Sequence, residues 1–523
     1  MRIPLILCGL GLCVGILAGG ACQPAGGQDT ETGTTAGSET GCTPGFANCA
    51  CADGDSCEPG LLCASQICVP DDSVTTSDTH PPVTTTNDTG DTGVQTTTSG
   101  DSTGGTETGT SECNAATPLD PACDDPALPY CGPAGSCVAC DQIDCGVVTP
   151  ATPTCDAVSG QCVQCTAGAD EECSGATPIC NAATSTCAAC TRHDQCDSKA
   201  CQLKTGACFA SVLYVDRGLP CDGADGSIDL PFCEINDAVA KIAAGDPTAV
   251  LVKANAIAYS EQIQVAADRT LAIVRNGSGT AKLEVGALDS LVVNDGSVVY
   301  IDQLQISKGD ISKGVFCNGG ELWIDRTQIV DRKGLGIEGL NCSLRLRQSR
   351  IYLNLGGGLK LTGGGVHLEN SFVVSNGGSF ATVSGVVLSN GATLDALYAT
   401  LADNNGKAGV EDSLDCSNAG EVKLHNTILF GQSAASSVDC AGAIATHSVV
   451  DAVALKGEAT EVIDALDPAW FVEPMTGNFH LEPGMPFEDV AVWQAGYPAV
   501  DYDGDPRPKG DGDPDYAGAD RPK

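Results

Sequence analysis

From Val299 to Leu429 the chain repeats one arrangement of side chains: apolar, any, apolar, four of any kind, apolar. It occurs as Val299/Ile301/Ile306, Leu322/Ile324/Ile329, Leu344/Leu346/Ile351, Val366/Leu368/Val373, Leu394/Ala396/Leu401 and Val422/Leu424/Leu429, at steps of 23, 22, 22, 28 and 28 residues. Apolar residues at i and i+2 mark a strand with one buried face. The gap before the third apolar residue marks a bend into a second short strand. Asn370 and Asn426 stand in that bend, and asparagine tolerates the left-handed backbone that a tight corner needs. One circuit per step, each laid on the last, predicts a parallel β-helix. The spacing over the whole region gives about ten coils, and the two longer steps imply extra loop residues at one corner.

Ahead of these coils the periodicity changes. Ile235, Ala238, Val239 and Ile242 fall at helical spacing, which predicts an amphipathic helix over 234–244 ending at Gly245. The run at 248–254 then reads as a buried strand. Between 113 and 208 the punctuation is cysteine: the pairs Cys137/Cys140, Cys162/Cys165 and Cys187/Cys190 step by 25 residues, and Pro129, Pro153 and Pro178 each stand two before a cysteine. A fixed step with equivalent cysteines means a linear array of small stapled units. Zinc ribbons or redox pairs would also use CxxC. Zinc, however, needs reduced thiolates, and a redox centre needs a thioredoxin-like context, so structural disulfides of open connectivity are expected. A further six cysteines, Cys42 to Cys68, crowd a segment with too few apolar residues for a core, and disulfides must hold it. The stretches at 22–41 and 71–112 are Thr, Ser, Gly and acid, and such sequence stays disordered and serves as spacer.

Thirty-one cysteines call for an oxidising compartment. The N-terminus agrees: Arg2, an apolar run from Ile3 to Ala18, then Gly19-Gly20-Ala21-Cys22. This segment resembles a bacterial lipoprotein signal, although Gly19 stands where leucine is usual. The resemblance implies cleavage after residue 21 and acylation of Cys22. Parity favours it over ordinary secretion, because an unlipidated Cys22 would leave one thiol over. A net charge of −41 argues against nucleic acid as a partner.

Two end motifs make the fold more specific. The opening "LYVD…PFCEINDAVAKI" and the ending "DYDGDPRPKGDGDPDYAGAD" flank the coils. With them, the region from about 211 to 520 resembles the right-handed β-helix proteins of the pectate-lyase-like superfamily. The expected fold class is therefore all-β. A right-handed parallel β-helix (211–490) would follow a signal peptide (1–21), spacers (22–41 and 71–112), a six-cysteine module (42–70) and a cysteine-rich array (113–210), and an Asp/Pro/Gly-rich tail (491–523) would close the chain. Within the β-helix, Cys221 and Cys233 flank the opening loop. Cys317/Cys342 and Cys416/Cys440 are each about one coil apart, so all three pairs are disulfide candidates.

The resemblance implies enzymes such as pectate lyases and polygalacturonases, with paired carboxylates, or Ca²⁺-binding aspartates and a basic residue, on one outer face. Asn-Thr-Asp, Gly-His-Gly and Arg-Ile-Lys do not occur in the coils, so no acid pair for glycoside hydrolysis is identifiable. What the coils do offer is a column. The position between the first two apolar residues points outward and reads Tyr300, Trp323, Arg345, His367, Asp395 and Lys423. Aromatic and basic residues in a row suit an acidic polysaccharide, with Tyr300, Trp323, Arg345, His367 and Lys423 as candidate ligand-binding residues; solvent-facing strand positions also take such residues without any ligand. Asp501, Asp503 and Asp505 are candidate Ca²⁺ ligands, although the EF-hand pattern fails at Gly512. No other cofactor is expected. The sequence thus points to a non-catalytic lipoprotein of the outer membrane or cell surface, anchored through Cys22, that binds polysaccharide or another surface ligand. A lyase or hydrolase of this fold, a structural adhesin or stalk, and a secreted form are the alternatives.

Overall fold

The computed structural model describes residues 61–64, 67–70 and 112–523, apart from 380, 408–412, 432–437, 441, 452–454, 456, 464 and 486. The expected signal segment (1–21), Cys22, the expected spacers and most of the six-cysteine segment lie outside the described residues. Within that module Leu61–Ala64 pairs antiparallel with Ile67–Pro70 and sets Cys63 opposite Cys68.

The repeat builds what its period demands. Twenty-three strands form one continuous parallel ladder, a parallel β-helix with three faces. The first face stacks Thr248–Lys253, Thr270–Asn276, Val298–Asp302, Glu321–Asp325, 343–347, 365–369, 393–397 and Val422–His425. The second stacks Ala281–Glu284, Leu304–Ser307, Gln328–Val330, Arg350–Tyr352, 371–374, 399–402 and Ile428–Gly431. The third stacks Ile263–Val265, Leu291–Val293, Val315–Asn318, 337–340, 359–362, Val386–Ser389 and Leu414–Ser417. Every apolar residue of the repeat is at most 4% exposed, each valine, leucine and isoleucine contributing about 1.5–3 kcal/mol by its burial.

Left-handed backbone makes the corners. Between the first and second faces stand Gln303, Arg326, Gln348, Asn370, Tyr398, Asn426 and His447, all with φ between 43° and 58°. The sequence marked only the two asparagines; stacking from coil to coil holds the other residues in a conformation their side chains resist. The next corner repeats the device at Lys308, Asp331, Leu353, Ser375 and Asp403, with φ of 51° to 54°. Polar ladders run through the interior at these bends. Asn354 Nδ2 donates to Asn376 Oδ1 at 2.9 Å, and Asn376 Nδ2 to Asn404 Oδ1 at 3.0 Å. The hydroxyls of Thr327, Ser349, Ser371, Thr427 and Ser448 likewise accept backbone N–H groups from the coil before, at 3.0–3.5 Å. These side chains thereby find polar partners one coil away.

The N-terminal end is capped by a helix, Ile235–Lys241, shorter than the predicted 234–244. The Glu261 carboxylate, a long-range cap, accepts the N–H groups of Ile235 and Asn236 at 2.6 and 2.8 Å. Disulfides join Cys221 to Cys233, Cys317 to Cys342 and Cys416 to Cys440, with Cα atoms 5.6, 6.1 and 4.7 Å apart.

The array's connectivity, open in the sequence, is interleaved. Each unit of four cysteines joins its first to its third and its second to its fourth: 113–131 with 123–137, 140–155 with 145–162, 165–180 with 173–187, and 190–201 with 196–208. The two cysteines of each CxxC therefore belong to different units. They are neither redox partners nor zinc thiolates.

The C-terminal segment departs from the expected layout. The last coil strand is Glu461–Val462, well short of 490. Beyond it the chain folds back over the outer surface of the second face instead of ending as a solvated tail. Phe471, Phe479, Leu481, Phe487, Ala517 and Ala519 bury themselves against Tyr352, Phe372, Tyr398 and Phe430 and make a second core. The corner residues clasp it: Gln348 donates to the Asp501 carbonyl at 2.7 Å, Asn370 to Val500 at 2.8 Å, and Asn426 to Val492 at 2.9 Å. At the centre lies Arg507, 2% exposed. Its guanidinium pairs with Asp515 at 3.0 Å, donates to Asn370 Oδ1 and to the Gly518 and Ala519 carbonyls, and stacks 3.7 Å from the Tyr398 ring. The Pro-Arg and Gly-Ala-Asp motifs of the ending thus interlock. Arg507→Ala strips the buried Asp515 of one of its two guanidinium partners, leaving Arg521 at 2.9 Å, and should cost about 3 kcal/mol. Hydrogen exchange should show the loss confined to 466–520, with the coils still protected.

Candidate functional site

The outward column of the first face has the register expected of it: Tyr300, Trp323, Arg345, His367, Asp395 and Lys423 lie opposite one another on successive coils. Its exposure differs from the expectation. The last unit of the array docks on this face, and Phe209, Ala200 and His193 cover Tyr300, which is 1% exposed. Trp323 is half-buried beside Tyr300, its indole donating to Glu321 at 2.9 Å, with the exposed Arg345 guanidinium 4.7 Å above its ring. Lys204 pairs with Glu321, and Arg347 donates to the Thr191 carbonyl, fastening the unit down. Tyr300 is therefore not a free ligand-facing ring. Its apolar surface, together with Ala249, Leu251, Ala272 and Val274, receives the array.

Farther along, the column is charge-paired. His367 Nδ1 is 3.0 Å from Asp395 Oδ2 and its Nε2 3.7 Å from Glu369. Burial opposes a charge on this imidazole, but the hydrogen bond to Asp395 and the nearby Glu369 carboxylate outweigh that and lift it to about 9. It is an imidazolium at neutral pH, a poor general base. Lys423 pairs with Glu421 at 2.9 Å.

The acidic candidates are split apart. Asp501 is fully buried, and its Oδ1 accepts the N–H groups of Asp503, Gly504 and Asp505 at 2.8–3.0 Å while Oδ2 accepts that of Arg521. Backbone amides occupy the oxygens that Ca²⁺ would need, so Asp501 is a turn-former. Asp503 and Asp505 point away from it toward Lys523, at 3.5 and 3.6 Å. The expected Asp501/Asp503/Asp505 Ca²⁺ set is not assembled.

Because the C-terminal segment lies over the second face, it creates a cleft of about 340 Å³ that the sequence did not reveal. One wall is built by coil repetition: the corner residues Gln303, Arg326 and Gln348, and the strand neighbours Gln305 and Gln328. Arg275 closes one end, and Tyr502 with Asp503 the other. Asp302, buried, holds Arg326 by two hydrogen bonds at 2.8 and 2.5 Å, and Arg275 donates to the Gln303 amide oxygen. The wall therefore presents amides and guanidinium groups at one coil spacing, about 4.8 Å. The amides both donate and accept hydrogen bonds and the guanidinium groups donate them, so a neutral ligand can be met as well as a charged one. A signal was present in the sequence, since glutamine or arginine recurs at 303, 326 and 348 in the coil step. The second wall comes from residues 491–523, which the sequence marked only as an Asp/Pro/Gly-rich tail.

A family model described as "Family of unknown function (DUF8331)" matches residues 121–213, most of the array. No curated protein matches the sequence. Among solved structures the chain is similar to pectate lyase Pel9A at 13% identity, TM-score 0.37, covering 56% of this chain and 94% of that one. It is also similar to a rhamnogalacturonan lyase at 9% identity, TM-score 0.34, covering 50% and 91%. An alginate lyase from Paenibacillus sp. str. FPU-7 follows at 14% identity, TM-score 0.25, covering 41% and 83%. The parallel β-helix itself rests on the strand register described above.

The raised His367 makes a prediction. Its stabilising pairs are fully present below the unfolded value of about 6.5 and are lost as pH rises through about 9. Wild type should exceed His367→Gln in apparent unfolding free energy by on the order of 1–2 kcal/mol at pH 6, with the gap closing by pH 10. Denaturant titrations across that range read it directly.

Proposed function

We propose that the protein is an exported cell-surface β-helix that binds polysaccharide without cleaving it, in the cleft between the second face and the C-terminal segment. The observation that carries this reading is the wall of Gln303, Gln305, Arg326, Gln328 and Gln348, a polar surface repeated at coil spacing and facing an open groove. Hydroxyl-rich chains are recognised by such planar donor–acceptor groups, and a repeating wall meets a repeating ligand in several registers. The eleven disulfides among the described residues belong to an oxidising, extracytoplasmic compartment. Anchoring through an acylated Cys22 at the outer membrane, with the Thr-rich spacers holding the folded part away from the lipid, completes the proposal.

The test is calorimetric titration with oligogalacturonate, alginate and neutral xylan oligosaccharides, alongside an assay for unsaturated uronate and new reducing ends. At least one glycan should bind, and replacing Gln305 and Gln328 together by Ala should weaken it about ten-fold, two neutral hydrogen bonds being worth roughly 1–2 kcal/mol. Binding that ignores the double replacement, or turnover of the glycan, contradicts the proposal.

A further inference from the structure

Beside the cleft, a second cavity of about 440 Å³ lies between the strand Asn478–Leu481 and the last residues of the segment. His480, Asp503 and Asp520 line it, and a ligating atom from each lies within 4.8 Å of the other two. Asp520 is 2% exposed. Its Oδ2 accepts the Leu481 N–H at 2.7 Å, but its Oδ1 is buried with no hydrogen-bond partner. A buried carboxylate oxygen left unsatisfied costs free energy unless something positive reaches it.

His480 is held with one ring nitrogen facing the carboxylates. The Asn478 amide oxygen takes a hydrogen bond from the His480 backbone N–H at 3.3 Å and also contacts Nδ1. An amide oxygen only accepts, so Nδ1 carries a proton and holds the ring, while Nε2, which donates to Asp503 in the metal-free protein, would exchange its proton for a metal ion. Nε2 faces Asp503 Oδ1 at 3.3 Å. Phe372 and Tyr502 pack against the ring, with centroids 5.5 and 5.4 Å away, and fix its plane. An imidazole held through one nitrogen while the other faces carboxylates is the arrangement of a metal-ligating histidine and its supporting hydrogen bond.

We propose that His480, Asp503 and Asp520 bind one divalent transition-metal ion, of which zinc is the representative, with the remaining positions open to the cavity. One imidazole nitrogen with two carboxylates suits Zn²⁺ better than Ca²⁺, which takes six to eight oxygens. Three protein ligands leave a coordination position for water or a ligand group. Lys523, 3.5 Å from Asp503 Oδ2, is the competing cation, but its side chain is 72% exposed and its flexible stem can withdraw.

The experiment is calorimetric titration of the full chain, disulfides intact and free of any polyhistidine tag, with Zn²⁺ and separately with Ca²⁺. Absorption spectra of the Co²⁺-loaded protein report nitrogen and oxygen ligation. One equivalent of Zn²⁺ should bind, and His480→Gln and Asp503→Asn should each weaken it at least about ten-fold. Glu482→Gln, in the same cavity but outside the triad, should leave it unchanged. Asp503 is exposed, so its replacement keeps the fold even if an Asp520 variant does not. Failure of Zn²⁺ to saturate one site overturns the proposal. So does Zn²⁺ binding that neither His480→Gln nor Asp503→Asn changes, or preferential Ca²⁺ binding that His480→Gln leaves intact.

Discussion

Everything in the described structure follows from the backbone hydrogen bonds between one coil and the next. A parallel coil holds its neighbours about 4.8 Å away, and this spacing makes equivalent residues stack on themselves. An inward position must then be apolar in every coil or must find its polar partner in the coil beside it, which Asn354, Asn376 and Asn404 do. A corner must turn at the same place each time, so Tyr398 and Arg326 take the left-handed backbone that an asparagine adopts more readily at 370.

A stack of this kind has outer surfaces and two ends to protect, and the flanking sequence does so. The array's last unit covers the start of the first face through Phe209 and Tyr300, and the C-terminal segment covers much of the second through Phe372, Phe479 and Arg507. These covers turn a convex rod into a surface with clefts. The glutamine-lined groove lies where the C-terminal segment meets the coils, and the His480 cavity lies within the segment that this packing holds in place. Packing that stabilises the second face is therefore the same packing that shapes the places where a ligand can sit.

The coils were legible in sequence because a buried residue recurs at a fixed step, and a period needs no knowledge of distant contacts. The outward register followed from the same arithmetic. Exposure did not, since nothing local to Tyr300 shows that Phe209 lies on it. Asp501 misled for a related reason. Three aspartates at alternate positions are compatible with a cation, but Asp501 spends its oxygens on the amides of its own turn and on Arg521. The CxxC pairs read as structural, yet their division between units emerged only with the hairpins that place Cys131 opposite Cys137 and Cys155 opposite Cys162. The phenylalanines of 471–487 were the overlooked evidence that the end of the chain has a core of its own.

The most direct test is a set of spin-label distances along the third face, with labels attached through a non-canonical amino acid so that the native disulfides survive. Gln264 is linked to Lys360 through four successive register pairs and to Asp415 through six. The two distances should come out near 19 and 29 Å, growing by about 4.8 Å per coil. Distances that fail to lengthen in that proportion, or a broad spread centred elsewhere, would contradict the stacked coil.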